Sequence, residues 1–394
     1  MSRSHLCPNC GAQELSIFYE AKNAPVHSCV MLPTQQEALA FPSGEIALGL
    51  CRECGFISNV VFNPSMLDYS STYEDQQVFS STFNAFAYNL AKRLVSKYQL
   101  YSKNILEIGC GKGDFLTLLC ELGDNYGVGI DPAYVEGRVQ SKASNRVKFI
   151  RDYYSGRYAD YHRDFVCCRH TLEHIYNTKD FVDCVRSSIG NRLETIVFFE
   201  VPDVIRVLRE LAFWDIYYEH CSYFSPGSLA RLFRLCNFEV LDLSRDFNDQ
   251  YLLIEAKPVS KPSEKVHDLE ESVEAISELV KYFSSNCSKK LQEWKSLLQK
   301  SYENGERIAI WGSGSKCVSF MSTLGIKDEI EYVVDINPYR QGKFLPGSGK
   351  KVMPPEFLKE KKPDLIIVMN PVYRDEITQM LDRMGIYTEV VQLE

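Results

Sequence analysis

The stretch Asn104-Ile-Leu-Glu-Ile-Gly-Cys-Gly-Lys-Gly-Asp-Phe115 decides the fold of this chain. An apolar run enters Glu107-x-Gly109-x-Gly111-x-Gly113, the pattern of a strand that turns sharply into a helix. A second apolar run, Gly127-Val-Gly-Ile-Asp-Pro132, ends in the acid Asp131. The glycines let the backbone turn and approach a ligand where a Cβ would clash, and a carboxylate at the end of the second strand accepts hydrogen bonds from both hydroxyls of a ribose. Strand, glycine turn, helix, strand and terminal acid describe the first β-α-β unit of a nucleoside-binding fold.

The spacing is E-x-G-x-G-x-G and not the dinucleotide pattern G-x-G-x-x-G. Glu107 lies inside the strand, two residues before Gly109, and suits a ligand with a cationic amino-acid tail and a sulfonium. A pyrophosphate would prefer a bare helix N-terminus. The segment resembles motif I of the class I S-adenosylmethionine-dependent methyltransferases. That resemblance implies a strand at Val147-Lys-Phe-Ile-Arg-Asp152 carrying an adenine-side acid, a fourth strand at Asp164–Cys168 and a fifth at Thr195–Pro202. Glu107, Gly109, Gly111, Gly113, Asp131 and Asp152 are then the expected cofactor contacts.

At 394 residues the chain exceeds one compact core and divides into several domains. A formal charge of −8 gives no net basic field for nucleic acid, and no apolar run reaches the length of a bilayer span. The start Met1-Ser-Arg-Ser-His-Leu-Cys7 lacks the apolar core of a signal peptide, so a cytoplasmic location is expected. Of the 14 cysteines, four form two knuckles, Cys7-Pro-Asn-Cys10 and Cys51-Arg-Glu-Cys54, each followed by glycine. Two C-x-x-C knuckles present four thiolates to one ion, which points to structural zinc with no open coordination position. A disulfide is disfavoured by the compartment and a redox pair by the doubled knuckle. Cys167, Cys168, Cys184 and Cys236 lie in apolar runs and read as small core residues.

The expected fold class is α/β, with a zinc-binding module over 1–70, a central methyltransferase core with a Rossmann-like sheet over 71–257, a helical linker over 258–304 and a C-terminal Rossmann-like domain over 305–394. A helix is expected from about 75 to 98, with Phe79, Phe83, Phe86, Leu90 and Leu94 at helical spacing. Glu239–Leu243 and Gln250–Ala256 read as a closing pair of strands, followed by the polar Lys257-Pro-Val-Ser-Lys-Pro-Ser263. Helical periodicity resumes from Glu264 to about Tyr302, with Ser284-Ser-Asn-Cys-Ser288 predicting two helices or one bent helix. Arg307-Ile-Ala-Ile-Trp-Gly-Ser-Gly-Ser-Lys316 opens a second strand and glycine turn, with Asp335 ending its next strand. Gly312 and Gly314 serve there either a ligand or tight packing.

A polar and aromatic cluster, Phe213-Trp-Asp-Ile-Tyr-Tyr-Glu-His-Cys-Ser-Tyr-Phe-Ser225, interrupts a region of core-like alternation. Glu219 beside His220, with Tyr217, Tyr218 and Tyr223 near, supplies a general base, an orienting carboxylate and oxyanion donors. The bland alternative is a histidine satisfied among core aromatics. The two knuckles, the methyltransferase core, the Tyr-x-Glu-His-x-Ser-Tyr-Phe segment and Asp335-x-Asn-Pro-x-x-Gln-Gly-x-x-x-Pro-Gly347 together resemble the three-domain sugar C-methyltransferases, which act on nucleotide-linked keto-deoxysugars. The resemblance places active-site roles on Tyr217, Glu219 and His220, and on His174 in His170-Thr-Leu-Glu-His174. It departs at Tyr218, where a second histidine is typical, and over Ala21–Met31 between the knuckles.

The implied chemistry is proton removal from the carbon beside a 4-keto group by His220, tuned by Glu219, with a tyrosine or His174 on the enolate oxygen. The expected acceptor is therefore a small molecule, with S-adenosylmethionine and structural zinc as cofactors and neither nucleic acid nor membrane as partner. O- or N-methylation of another small molecule is the alternative. A zinc-ribbon binding protein or a nucleic-acid methyltransferase ranks behind both.

Overall fold

The structure, a computed structural model, describes residues 6–13 and 15–394. Three sheets carry it. At the N-terminus β1 (Leu15–Pro25), β2 (Ser43–Cys51) and β3 (Ile57–Asn59) pair antiparallel. A helix follows at Ser81–Lys97, buried along Phe83, Leu90, Ala91, Leu94 and Val95. It starts later than its apolar spacing predicts because the Ser80 hydroxyl accepts from the Phe83 amide and caps it there. Residues 75–79 stay outside the helix, and Asp75, Gln76, Gln77 and Phe79 line a cavity described below.

The central sheet holds β4 (Asn104–Ile108), β5 (Tyr126–Ile130), β6 (Val147–Ile150), β7 (Phe165–Arg169) and β8 (Ile196–Pro202), all parallel to their neighbours. After the two-residue β9 (Ser222–Tyr223) come β10 (Phe238–Asp246) and β11 (Tyr251–Pro258), which close the sheet antiparallel as expected. The order is β10-β11-β8-β7-β4-β5-β6. The chain runs outward from β4 to β6 and returns to β7 on the other side of β4, so the crevice for ligands opens where β4 and β7 separate at their carboxyl ends. β9 belongs to neither flank. It pairs with β3 and completes the N-terminal sheet, in the order β1-β2-β3-β9.

Between two helices and one, the linker forms one, Val273–Glu303. Ser272 caps its start, and Ser284–Ser288 stays helical because Ile276, Val280, Phe283, Cys287, Trp294 and Leu298 form one buried stripe across that polar run. Local propensity yields to tertiary packing here. Beyond it β12 (Ile308–Trp311), β13 (Tyr332–Val334), β14 (Val352–Met353), β15 (Leu365–Val368) and β16 (Glu389–Gln392) form a parallel sheet in the order β14-β13-β12-β15-β16. One continuous core joins the N-terminal sheet, the 204–223 segment, the long helix and this last sheet, through residues such as Tyr19, Trp214, Phe283 and Phe320. Cys167, Cys168 and Cys236 are buried as core residues and Cys184 is half-buried. Among the described residues, no helix is long and apolar enough to cross a membrane.

Candidate active site

The first glycine turn is built from left-handed backbone. Gly109, Gly111 and Gly113 take φ of 68°, 54° and 94°, and a Cβ on Gly109 would lie 1.9 Å from the Thr171 hydroxyl oxygen. At the end of β5, Asp131 accepts hydrogen bonds from the amides of Gly111 (2.8 Å) and Ala133 (2.6 Å). Burial raises its carboxyl to about 6. Glu107 in β4 is 2% exposed, and burial, opposed by Arg169, pushes it up to about 8. Its Oε2 has no hydrogen-bond partner. A buried, unpartnered carboxylate oxygen in a glycine cradle fits the ammonium end of the cofactor. Asp152 follows β6, with its carboxylate engaged by the Tyr158 hydroxyl and by Arg157. Lys112 carries no signal of its own in the motif, yet its ammonium donates to the carbonyls of Tyr73 and Ala133 (both 2.7 Å) and ties the turn to the 69–80 segment.

A cavity of about 320 Å³ is walled by all three sheet regions, and its wall residue Asp75 lies 3.9 Å from where a Cβ on Gly111 would stand. His170, Glu173, His174, Tyr217 and His220 come from the central region, Cys29 and 73–80 from the N-terminal side, and Gly312–Lys316 with Asp335–Arg340 from the C-terminal side. The His220 ring lies 4.1 Å from Tyr217 and 4.7 Å from His174, centroid to centroid. Burial, reinforced by His174, His170 and Lys316, drives its basicity well below the ordinary histidine range, so the ring is neutral. Nδ1 of His174 sits 2.7 Å from the Tyr69 hydroxyl and 3.1 Å from the Glu219 carbonyl.

Glu219 and His220 adjoin in sequence, yet the Glu219 carboxylate is not hydrogen-bonded to His220. It accepts from His27 Nδ1 (3.1 Å), the Ser28 amide (3.1 Å) and the Ser28 hydroxyl. The Asp68 amide donates to His27 Nε2, which fixes the proton on Nδ1. Burial would raise Glu219, but the His27 hydrogen bond and His174 overcome it and keep the carboxylate ionised. Of the expected tyrosines only Tyr217 lines the cavity. Tyr218 turns to the Asn63 amide (3.0 Å), and the Tyr223 hydroxyl donates to the Tyr217 carbonyl (3.4 Å).

Several cavity groups carry no separate sequence signal. His170 has a left-handed φ of 47° and sets Nε2 2.6 Å from Glu200 and Nδ1 3.5 Å from Glu173. Burial opposes its charging, but the two carboxylates raise it to about 9. Lys316, in the second glycine turn, pairs with Asp215, which also holds Arg206, and burial lowers the lysine to about 8.

Away from the cavity, the sulfurs of Cys7, Cys10, Cys51 and Cys54 lie within 4.8 Å of one another, with Cys7–Cys54 and Cys10–Cys51 each at 3.7 Å. A tetrahedron with metal–sulfur distances of about 2.3 Å has edges of roughly 3.8 Å, so the set fits such an ion. Gly11 and Gly55 (φ 79° and 72°) return their amides to the Cys7 and Cys51 carbonyls at 2.8 and 2.9 Å, repeating one turn twice.

Residues 82–243 match the family described as Methyltransferase domain, and residues 253–387 match the family described as C-methyltransferase C-terminal domain. The two matches lie side by side and together span most of the chain, the second of them in a domain described for C-methyltransferases. It is 25% identical over 292 residues to the C-methyltransferase NovU of Streptomyces niveus, covering 69% of this chain and 67% of NovU. These matches make it an S-adenosylmethionine-dependent methyltransferase and agree with the sugar C-methyltransferase family that its motifs resemble. Among solved structures it is similar to 1,6-didemethyltoxoflavin-N1-methyltransferase of Burkholderia thailandensis (TM-score 0.33, 15% identity, 44% of this chain and 79% of that one). It is also similar to the magnesium protoporphyrin IX methyltransferase of Synechocystis PCC 6803 (TM-score 0.36, 15% identity, 48% and 91%).

Proposed function

We propose that this methyltransferase methylates the carbon beside the keto group of a nucleotide-linked 4-keto-deoxysugar. The observation that carries this reading is a buried His220, packed against Tyr217 and His174 on the wall of a cavity that also includes Asp75, the neighbour of Gly111 in the cofactor turn. A neutral imidazole accepts a proton, and a carbon acid flanked by a ketone is the acceptor that needs one removed before it becomes a nucleophile. His220 takes the C3 proton, and the electron pair left behind spreads onto the ketone oxygen. Tyr217 and His174, on either side of His220, donate to that oxygen. Glu219 anchors His27 and Ser28 and thereby seats the catalytic segment against the N-terminal sheet. Lys316 and Arg340 on the far wall suit the anionic part of the substrate.

S-adenosylmethionine, held by Glu107, Gly109, Gly111, Gly113, Asp131 and Asp152, supplies an electrophilic methyl group. The same reading assigns one structural zinc to Cys7, Cys10, Cys51 and Cys54, and metal analysis of the purified protein returning one zinc per chain is its check.

Replacing His220 by Asn tests the base. Cofactor affinity by calorimetric titration stays unchanged, while turnover falls ~10²–10⁴-fold. With a nucleotide-linked 4-keto sugar in deuterated solvent and no methyl donor, the wild-type protein washes deuterium into C3 and the variant does not. An O- or N-methyltransferase has no reason to catalyse that exchange. Full turnover in the variant would move the base elsewhere, and absence of exchange in the wild type would remove carbon as the acceptor.

A further inference from the structure

We infer that Glu173 is the carboxylate partner of His220, a positioning residue that orients the ring and holds the imidazolium formed when the ring accepts a proton. This rests on the reading of His220 as the base. Glu219, the sequence neighbour, has its carboxylate turned to His27 and Ser28. Glu173 is in the opposite condition. It is 1% exposed, and neither carboxylate oxygen has a hydrogen-bond donor. Its one charged neighbour by contact is His170, with Nδ1 3.5 Å away. A buried carboxylate without donors is costly, and native interiors seldom leave one so without a use.

Geometry supplies the use. One carboxylate oxygen of Glu173 and one ring nitrogen each of His174 and His220 lie within 4.8 Å of one another. Catalytic hydrogen bonds are often long before substrate binds and tighten in the loaded complex. The backbones that carry the two groups are laced together. Glu173 sits on the short turn Leu172–His174 after β7, and His220 lies two residues before β9. The Ser222 hydroxyl donates to the Ile175 carbonyl at 2.6 Å, and the Cys221 thiol approaches the Glu173 carbonyl at 3.7 Å.

Electrostatics gives the reason that a partner is needed. The groups facing the His220 ring are His174, His170, Lys316 and Tyr217, and the first three oppose a positive charge on it. Once the C3 proton has moved to the ring nitrogen, the imidazolium lies among other cations in a buried site. A carboxylate oxygen within 4.8 Å of the ring offsets that repulsion as the contact tightens in the loaded complex.

The test is a titration of the full-length protein labelled with ¹⁵N in its histidine rings, with His220→Asn identifying the His220 signals. In Glu173→Gln the His220 midpoint falls by about one unit or more relative to wild type, the size expected for loss of an opposite charge at this range. An unchanged midpoint and tautomer overturns the pairing whatever the acceptor is. In deuterium wash-in, Glu173→Gln slows exchange ~10–100-fold with cofactor affinity retained. Glu173→Ala regains exchange with added formate and not with chloride, a rescue that a merely structural role does not produce. If wild type shows no exchange, carbon methylation fails while the titration still decides the pairing. A second zinc per chain, bound by Glu173, His174 and His220 with the His220 signal insensitive to pH, overturns the pairing in favour of a metal site.

Discussion

Two strand-to-helix glycine turns in this molecule look alike in sequence and are held in opposite ways. In the first, three glycines adopt left-handed backbone, Asp131 receives a single amide from the turn, and Glu107 keeps an unpartnered oxygen. In the second only Gly312 is left-handed (φ 106°), and Gly314 is extended. Asp335 there accepts from both the amide and the hydroxyl of Ser313 at 2.7 and 2.6 Å, and from the Asn337 amide at 2.8 Å. The buried apolar Trp311 stands one residue before Gly312, where the first turn has Ile108, and no buried carboxylate accompanies it as Glu107 does. An acid at a strand end is therefore an incomplete sign of a nucleoside site. Acceptor capacity left free after folding is the better one, and the first turn has more of it.

The contrast is broken or sharpened most strongly at the glycines. Gly109→Ala pushes a Cβ into Thr171 and weakens S-adenosylmethionine by ~100-fold or more in calorimetric titration, because the left-handed turn and the close approach are both lost. Gly314→Ala meets only the Arg340 guanidinium, at 3.3 Å, and cofactor affinity stays within about twofold. Equal losses at both positions would erase the distinction between the turns. Next come the acids. Asp131→Ala costs roughly 1–3 kcal/mol of cofactor binding, while Asp335→Ala spares binding and takes a similar amount from thermal stability by orphaning Ser313.

The smallest effect is a pH slope. A carboxyl raised from its ordinary 4.5 to about 8 binds more protons folded than unfolded, so its contribution to stability falls as pH rises between those values. Glu107→Gln flattens the decline of the ligand-free protein across that window by roughly 1–2 kcal/mol, measured by denaturant melts. A slope left unchanged by that substitution would show that Glu107 is not held protonated.

Much of this was legible in the sequence where the signal is local. Strand, turn and acid from Asn104 to Asp131, the closing pair of strands and the paired knuckles all declare themselves within short windows. The polar run within 273–303 leaves open two helices or one bent helix, and the choice of a single helix rests on partners distant in sequence, Tyr19 on β1 among them. Adjacency in sequence pairs Glu219 with His220, whereas the carboxylate's donors are His27 and Ser28, brought in from the N-terminal region. Glu173 was in plain view in His170-Thr-Leu-Glu-His174, but its missing donors are a property of burial, which no spacing records. Pairings across folded segments are the part of the site that periodicity does not encode.

The two-residue strand β9 has a consequence during synthesis. Until Ser222 and Tyr223 leave the ribosome, β3 has no neighbour on one side, although Ile57, Ser58 and Asn59 are all buried in the finished protein. At ordinary elongation rates that interval lasts roughly ten to thirty seconds. An unpaired, apolar strand edge is a template for pairing with another chain. The nascent N-terminal sheet therefore carries an open edge for that time, and the residue pair that closes it lies two residues beyond His220.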